Sequence, residues 1–483
     1  MTFNLSTLKA AGLSALAISV LLASPLSQAE TLLDIYNKAV SNDPAIREAQ
    51  ANMFATMEAK PQARANLLPQ LDFNGGWSTS KSDGTRVTFV GGAPTTQPFE
   101  SDTEDLNWSF DLSQTLFRWD QFARMGRADK EVSQAQLDYG AAQQDLMVRV
   151  AEVYFNVLAA RDTLVSEQAA KEAIERQLEQ ANRRYEVGLI AVTDVQEAQA
   201  GFDEAVAAEI VAKRDLANAQ EALREITGEY NEVLAKPAKE IPLVIPEPPI
   251  KDEWVSTALE QNLALLSAKI GADITRDDVS VARGGYMPTV DLSASYGNRQ
   301  SDGTSIQEQS IVPTTPIDSD QDNRSVGIQF KVPLFAGLGT KSEVKEAVYR
   351  HRASKENFEK VVRQTEREAR DAFYGVESEI SRVKALRQSR RSSEVALEAT
   401  EAGYEVGTRT TVDVLDARRA LFLAETNYAR SRYDYIVNVI KLKQAAGTLN
   451  PDDLTAINAW LQRESEELDT DPSLPESVSA TEE

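Results

Sequence analysis

Two periodicities divide the chain. Leu106, Trp108, Phe110 and Leu112 alternate with Asn107, Ser109 and Asp111, and Val290, Leu292, Ala294 and Tyr296 alternate with Asp291, Ser293 and Ser295. Val326, Ile328, Phe330, Val332 and Leu334 repeat the pattern, and a weaker version runs through residues 71–79. Alternation of this kind gives a strand one apolar and one polar face. Each run is about 9–12 residues, the length of a tilted strand crossing a bilayer within a barrel. The runs come in pairs around residues 81–104 and 299–323, polar segments that read as long outward loops. Elsewhere the period is seven. Val132, Tyr139, Leu146, Val153 and Ala160 lie in a stretch without Pro, and Val414, Leu421, Tyr428, Tyr435 and Leu442 follow suit. Sustained heptads predict long helices packed in coiled-coil fashion.

Sliding the chain against itself by 219 positions superposes these patterns. Residues 67–72 fall on 286–291, residues 82–85 on 301–304, the Tyr-Glu-Val-Gly stretch 185–188 on 404–407, and Gly228 on Gly447. The chain is therefore read as a tandem duplication. Residues 30–235 form repeat 1 and 253–448 repeat 2, each with the order helix, strand pair, long helix, tip turn, helix. Between them lies a Pro-rich linker, 236–252, whose five prolines within residues 236–250 forbid a helix there. Residues 449–463 form a C-terminal segment beside it, and 464–483 an acidic tail whose composition predicts disorder. In repeat 1 the shorter helices, about 33–65 and 194–228, together match the long one, about 121–184. In repeat 2 the helices at about 254–284 and 413–447 match 338–403. End-to-end stacking would then give rods of roughly 100 Å, with the linker at their equator. Four strands cannot close a barrel, and lipid does not tolerate open edges. Three copies would supply twelve strands.

Composition narrows the function. The 483 residues carry 51 Lys or Arg against 75 Asp or Glu, a formal charge of −24, with one His and no Cys. Such a chain repels a phosphate backbone, so nucleic acid is not a partner. Disulfides, thiolate nucleophiles and Cys-rich metal sites are excluded, and His351 alone cannot build a multi-His site. We expect no cofactor, no metal and no enzymatic activity. Residues 1–29 have the basic, apolar and small-residue order of a secretory signal peptide, and no later run reaches the roughly 18 apolar residues of a membrane-spanning helix. Gly337-Leu338-Gly339 reads as a strand-to-helix elbow, and His351 and residues 387–391 as solvated helix surface.

The order of elements, together with the stretches 185–195, 403–416 and 223–228 and the prolines at Pro69 and Pro288, resembles the TolC family of outer-membrane efflux channels. The resemblance spans residues 30–463, on the unlipidated branch, since no Cys stands near the predicted cleavage site. It implies an α+β channel-tunnel: a coiled-coil helical barrel joined to a 12-stranded β-barrel that a homotrimer completes in outer-membrane lipid, with most of the mass in the periplasm. It also implies a periplasmic adaptor and an inner-membrane pump of the RND, ABC or MFS type as partners. Drugs, amphiphiles and secreted proteins would leave through it. A trimeric coiled-coil adhesin or structural protein is the alternative, but would carry one C-terminal barrel segment rather than strand pairs in both halves.

Function should concentrate at the tip turns. Gly188 and Gly407 suit the left-handed position that ends a helix. Thr193 with Gln196 reads as a capping box, and Thr410 with Asp413 as a looser one. Asp413 and Asp416, three apart, share a helix face. The residues alone favour a helix-capping role, since Asp194 and Glu197 occupy the equivalent places in repeat 1. The resemblance instead assigns Asp413 and Asp416 to an acidic ring at the periplasmic entrance. It also assigns closed-state locks between neighbouring coils: Asp194 with Tyr404, Thr193 with Arg409, and Gln177 with Glu401.

Overall fold

The structure, a computed structural model, describes residues 29–462 except 91, 232, 239–240 and 308–313. The expected signal peptide, apart from Ala29, and the acidic tail lie outside the described residues. Repeat 1 runs α1 (Leu32–Asn42), α2 (Pro44–Met57), α3 (Ala59–Ala65), β1 (Gln70–Val90), β2 (Ala93–Arg118), α4 (Trp119–Glu186) and α5 (Val192–Thr227). After β3 (Lys236–Pro237), repeat 2 runs α6 (Lys251–Gln261), α7 (Leu263–Arg283), β4 (Thr289–Gln307), β5 (Thr314–Lys331), α8 (Gly339–Glu405) and α9 (Thr411–Ala446). The chain closes with α10 (Pro451–Asn458) and β6 (Leu461–Gln462). Helices of 68 and 67 residues, α4 and α8, are each about 100 Å long.

The four long strands form one antiparallel sheet in the order β1-β2-β4-β5. Its register puts the alternating residues on a common face. Phe73 pairs with Phe110 and Phe110 with Tyr296, Leu112 with Ala294 and Ala294 with Val326, and Leu292 with Ile328. Phe73 and Phe110 have ring centroids 5.1 Å apart, and Trp108 meets Tyr296 edge-on at 5.5 Å. This apolar band is solvent-exposed in the single chain, from Leu71, Phe73 and Trp77 to Val326, Ile328 and Phe330. The opposite face is polar and internally bonded. Asn74 and Ser109 donate to Asp111 at 2.9 and 2.7 Å, and Arg118 pairs with Asp291 at 3.1 Å. A bulge between Thr115 and Phe117 inserts Leu116 and returns Phe117 to the apolar side, opposite Val290.

Most of the described residues in the segments read as outward loops are strand instead. Residues 81–90 pair with 93–102, Lys81 standing opposite Asp102, and Arg299 pairs with Gln321. The strands are therefore 18 to 26 residues long and run well past the apolar band. Once the side chains turn polar on both faces the period-two signal vanishes, but the backbone ladder continues to satisfy its own donors and acceptors. At the other end β5 stops at Lys331, ahead of Pro333, and Gly337 and Leu338 (φ 58° and 68°) make the expected elbow into α8.

The expected 33–65 helix is also divided. Asp43 takes φ −63° and ψ 120° between α1 and α2, and Asn262 takes the same angles between α6 and α7. Pro44 explains the first break, because the residue before a proline is driven out of the α region. Asn262 reaches the same geometry without a proline. In both breaks the side chain caps the following helix, Asp43 accepting from the Ala45 amide and Asn262 from the Leu265 amide. The helices that pack along α4 are thus α5, α7, α9 and the α2–α3 pair, while α1 also packs on α4 and α6 packs mainly on α8. The main core lies around α1, at the equator. Leu32 and Ile35 of α1 meet Leu146, Tyr154, Phe155 and Leu158 of α4 and Tyr435, Ile436 and Ile440 of α9, all buried. The Tyr154 hydroxyl donates to the Ala235 carbonyl at 2.6 Å, and β3 pairs with β6, tying the linker and the C-terminal segment to this core.

The two breaks should respond unequally to truncation. Asp43 also holds Arg149 at 2.7 Å with its carboxylate nearly buried. Asp43→Ala should therefore cost about 1–3 kcal/mol and Asn262→Ala about 1 kcal/mol in urea unfolding of the detergent-solubilised protein, equal losses contradicting the ion pair's role.

Candidate functional site: the helix-tip turns

At the end farthest from the sheet, each repeat turns from its long helix into its shorter one. Gly188 and Gly407 both adopt φ 76°, the left-handed conformation expected of them. Leu189 N–H donates to the Arg184 carbonyl and Gly188 N–H to Tyr185, each at 2.9 Å. In repeat 2 Thr408 donates to Gly403 at 2.9 Å and Gly407 to Tyr404 at 3.1 Å. This double bond pattern satisfies the last carbonyls of both long helices in one way, and only a residue without Cβ takes the pivot at no cost.

The following helices start from equivalent positions. Thr410 caps α9: its hydroxyl accepts from the Asp413 amide at 3.2 Å, while the Asp413 carboxylate accepts from the Thr410 amide at 2.8 Å. In repeat 1 the cap is Ala191, whose amide donates to Asp194 at 3.2 Å. The capping box expected at Thr193 and Gln196 is therefore displaced. Thr193 already lies inside the first turn of α5, and the acidic member is Asp194, the counterpart of Asp413. The Thr410 backbone and hydroxyl hold the Asp413 carboxyl below its usual range. Asp416 is mostly exposed and has the Arg419 guanidinium at 3.7 Å.

Within one chain Asp194, Tyr404, Glu401 and Arg409 find partners other than those the locks would give them. The Tyr404 hydroxyl accepts from Thr411 at 3.5 Å, and the Arg184 guanidinium lies 4.8 Å over its ring. Glu401 pairs with Arg418 at 2.6 Å, joining α8 to α9, and Arg409 stands 3.9 Å from Asp413. Gln177 is buried, and its amide nitrogen has no hydrogen-bond partner among the described residues. The sequence reading missed Arg418 and Arg419. A signal existed for the first: Glu401 and Arg418 carry opposite charges about one and two helical turns from the same turn of an antiparallel hairpin. Higher up, Glu209 of α5 is gripped by Lys213 at 2.7 Å and by Lys171 of α4 at 3.0 Å, and these ammonium groups bring its carboxyl down to about 2. His351, expected to be solvated, instead has Thr275 at 3.2 Å from Nδ1.

Among the described residues no group of three or more His, Asp or Glu could hold a metal, and no helix is long and apolar enough to cross a membrane. The family description "outer membrane efflux protein" matches residues 35–229 and 254–448, one match per repeat. Outer membrane protein TolC of Vibrio cholerae is 38% identical over 437 residues, covering 90% of this chain and 94% of that protein. The Escherichia coli protein of the same name is 36% identical over 441 residues, covering 91% and 87%. The alkaline protease secretion protein AprF of Pseudomonas aeruginosa is 28% identical over 430 residues, covering 89% and 86%. Among solved structures, the CmeC outer membrane channel of Campylobacter jejuni superposes with a TM-score of 0.70 at 18% identity, covering 89% of each chain.

The two depressed carboxyls make the middle of α5 and the start of α9 acid-sensitive with a definite sign. Their contribution is fully present above the ordinary carboxylate range, about 4. It is lost as pH falls toward the folded-state values, which for Glu209 means toward about 2. The protection factors of α5 amides near Glu209, exchange rates corrected for their intrinsic pH dependence, should therefore fall between pH 5 and pH 3 in the wild type, and be lower but nearly flat over that range in Glu209→Gln.

Proposed function

The chain belongs to the outer membrane efflux protein family, and on that premise we propose that three copies close one channel-tunnel across the outer membrane, the exit duct of tripartite efflux and type I secretion systems. The observation that carries this is the sheet, apolar on one face, polar on the other and open at both edges. Unpaired backbone groups cannot remain in lipid, so β1 of one copy must pair with β5 of the next. Three copies of four strands give a twelve-stranded barrel with the apolar band toward lipid and Asp111 and Asp291 toward a wet lumen. The helical rods continue that lumen into the periplasm. Residues 1–29 serve as the export signal, and the linker 236–252 with residues 449–463 forms the equatorial belt. Drugs, amphiphiles and secreted proteins pass by diffusion or under the pump's drive, without chemistry from this chain. The adhesin alternative is disfavoured, since strand pairs occur in both repeats and the relatives are named for efflux and secretion.

The tips are the gate in this reading. Asp413 and Asp416 from three copies ring the entrance and favour cations, as carboxylate rings do in other pores. Asp194 with Tyr404, Thr193 with Arg409, and Gln177 with Glu401 hold neighbouring coils together when the gate is shut. Gln177 supports this assignment, because a buried amide without a partner in its own chain is costly unless another coil supplies one. A periplasmic adaptor, bridging to an inner-membrane pump of the RND, ABC or MFS type, opens the mouth by binding the open tip arrangement more tightly than the closed one.

Two experiments test this. A deletion strain should become sensitive to dyes, detergents and antibiotics, and unchanged sensitivity and export would count against an efflux role. In planar bilayers, Tyr404→Phe with Arg409→Ser should raise single-channel conductance several-fold, since each lock bond contributes about 1–3 kcal/mol. Asp413→Ala with Asp416→Ala should lower cation preference. Wild-type conductance in the first variant refutes the lock assignment, and wild-type selectivity in the second refutes the ring.

A further inference from the structure

The two helical hairpins of one chain are unequally joined. The α4–α5 pair and the α8–α9 pair pack along their lengths and are joined broadly where α4 meets α9, whereas α5 meets α9 only over a short stretch. That stretch has three components. Ile174 of α4, Ala205 of α5 and Leu415 of α9 form a small buried cluster separate from the equatorial core. Gly201 allows the close approach: a Cβ there would stand 3.3 Å from Leu415 Cδ1 and 3.8 Å from both Ile174 Cγ2 and an Arg419 nitrogen. Beside them lies a cavity of about 340 Å³, walled by Ala170, Ala205, Ala208, Phe422 and Leu423, so packing there is incomplete. The third component is an ion pair. One terminal nitrogen of Arg419 bonds the Glu204 carboxylate across the α5–α9 gap, and the other faces Asp416 on its own helix at 3.7 Å.

We propose that Arg419 is a latch residue that ties the α8–α9 hairpin to α5 through Glu204 and, when released, turns to Asp416 and neutralises part of the entrance ring. The inference rests on the channel reading above and goes beyond its locks. Those hold neighbouring coils at or near the tips, whereas this latch joins α5 to α9 within one chain and links gate position to charge. Glu204 and Arg419 are both substantially exposed, so each pair is weak and readily broken by a partner that engages either side chain. Three copies acting on one mouth make the sum large enough to bias it. Arg419 cannot satisfy both carboxylates equally. Held by Glu204, it stays at the long distance from Asp416 and leaves that charge exposed to the pore. Freed, it finds an oppositely charged side chain three residues away on the same helix face.

Substitutions on the two sides of the same ion pair therefore have one common effect and one opposite effect. In planar bilayers, Glu204→Gln and Arg419→Ala should each raise open-channel occupancy, by roughly fivefold, as expected for three weak pairs acting together. Glu204→Gln should lower cation preference, because Arg419 is released onto Asp416. Arg419→Ala should raise it, because Asp416 loses its screen. The charge swap Glu204→Arg with Arg419→Glu should bring occupancy back toward wild type. If wild-type protein forms no pore, the channel reading itself fails. If it does and the two single variants keep wild-type occupancy, or shift selectivity in the same direction, the latch is refuted while the channel reading stands. Failure of the charge swap to restore occupancy likewise refutes pairing of these two side chains.

Discussion

Every level of this protein depends on the unpaired outer edges of β1 and β5. A sheet with an apolar face belongs in lipid, yet lipid offers no partner for the backbone groups along an edge. The long-stranded sheet of one chain holds two such edges and four strands. In the proposed assembly closure comes from other copies, and that requirement sets the number of chains and the width of the lumen. It also sets the number of helices that continue the lumen below the membrane. Charge agrees with the arrangement: the formal charge of −24 suits a water-filled conduit, whose polar face here carries Asp111 and Asp291.

The duplication is what allows one chain to present matching edges. Each repeat supplies a hairpin, and the hairpins join through β2 and β4 in the middle of the sheet. The helices then have to leave the sheet, pass the equator and return. The equatorial core does this with buried aromatics and with two breaks of identical geometry at Asp43 and Asn262. Rigidity is concentrated there, around Tyr154 and Tyr435. At the tips, contacts thin to caps, single ion pairs and a partly empty α5–α9 interface. A conduit that is stable at its centre and weakly held at its mouth can open without unfolding.

The sequence made the fold's elements legible wherever side-chain pattern and backbone structure coincide. Period two in Leu106–Leu112 and heptads through Leu146 and Tyr435 each report a face buried against something, lipid or another helix. Beyond the apolar band the pattern stops but the hairpin does not, because the ladder there is held by backbone bonds that leave no mark in side-chain polarity. The break at Asp43 carried a signal in Pro44. The break at Asn262 carried none beyond its place in the repeat. The cap at Ala191 was hidden by a better local match at Thr193, although alignment with Thr410 points to the right position. Tip glycines were legible because a positive φ has a strong residue preference. Ion pairs such as Arg419 with Glu204 were not, because they depend on the register between two hairpins far apart in sequence.

The mass of the assembly tests the central claim most directly. Native mass spectrometry of the protein extracted in mild detergent should give three chains and no other stable state, since three sheets close into one barrel with no edge left over. A particle of one or two chains that still conducts in bilayers would mean that β1 and β5 are satisfied in some other way, and would contradict the account from the sheet upward.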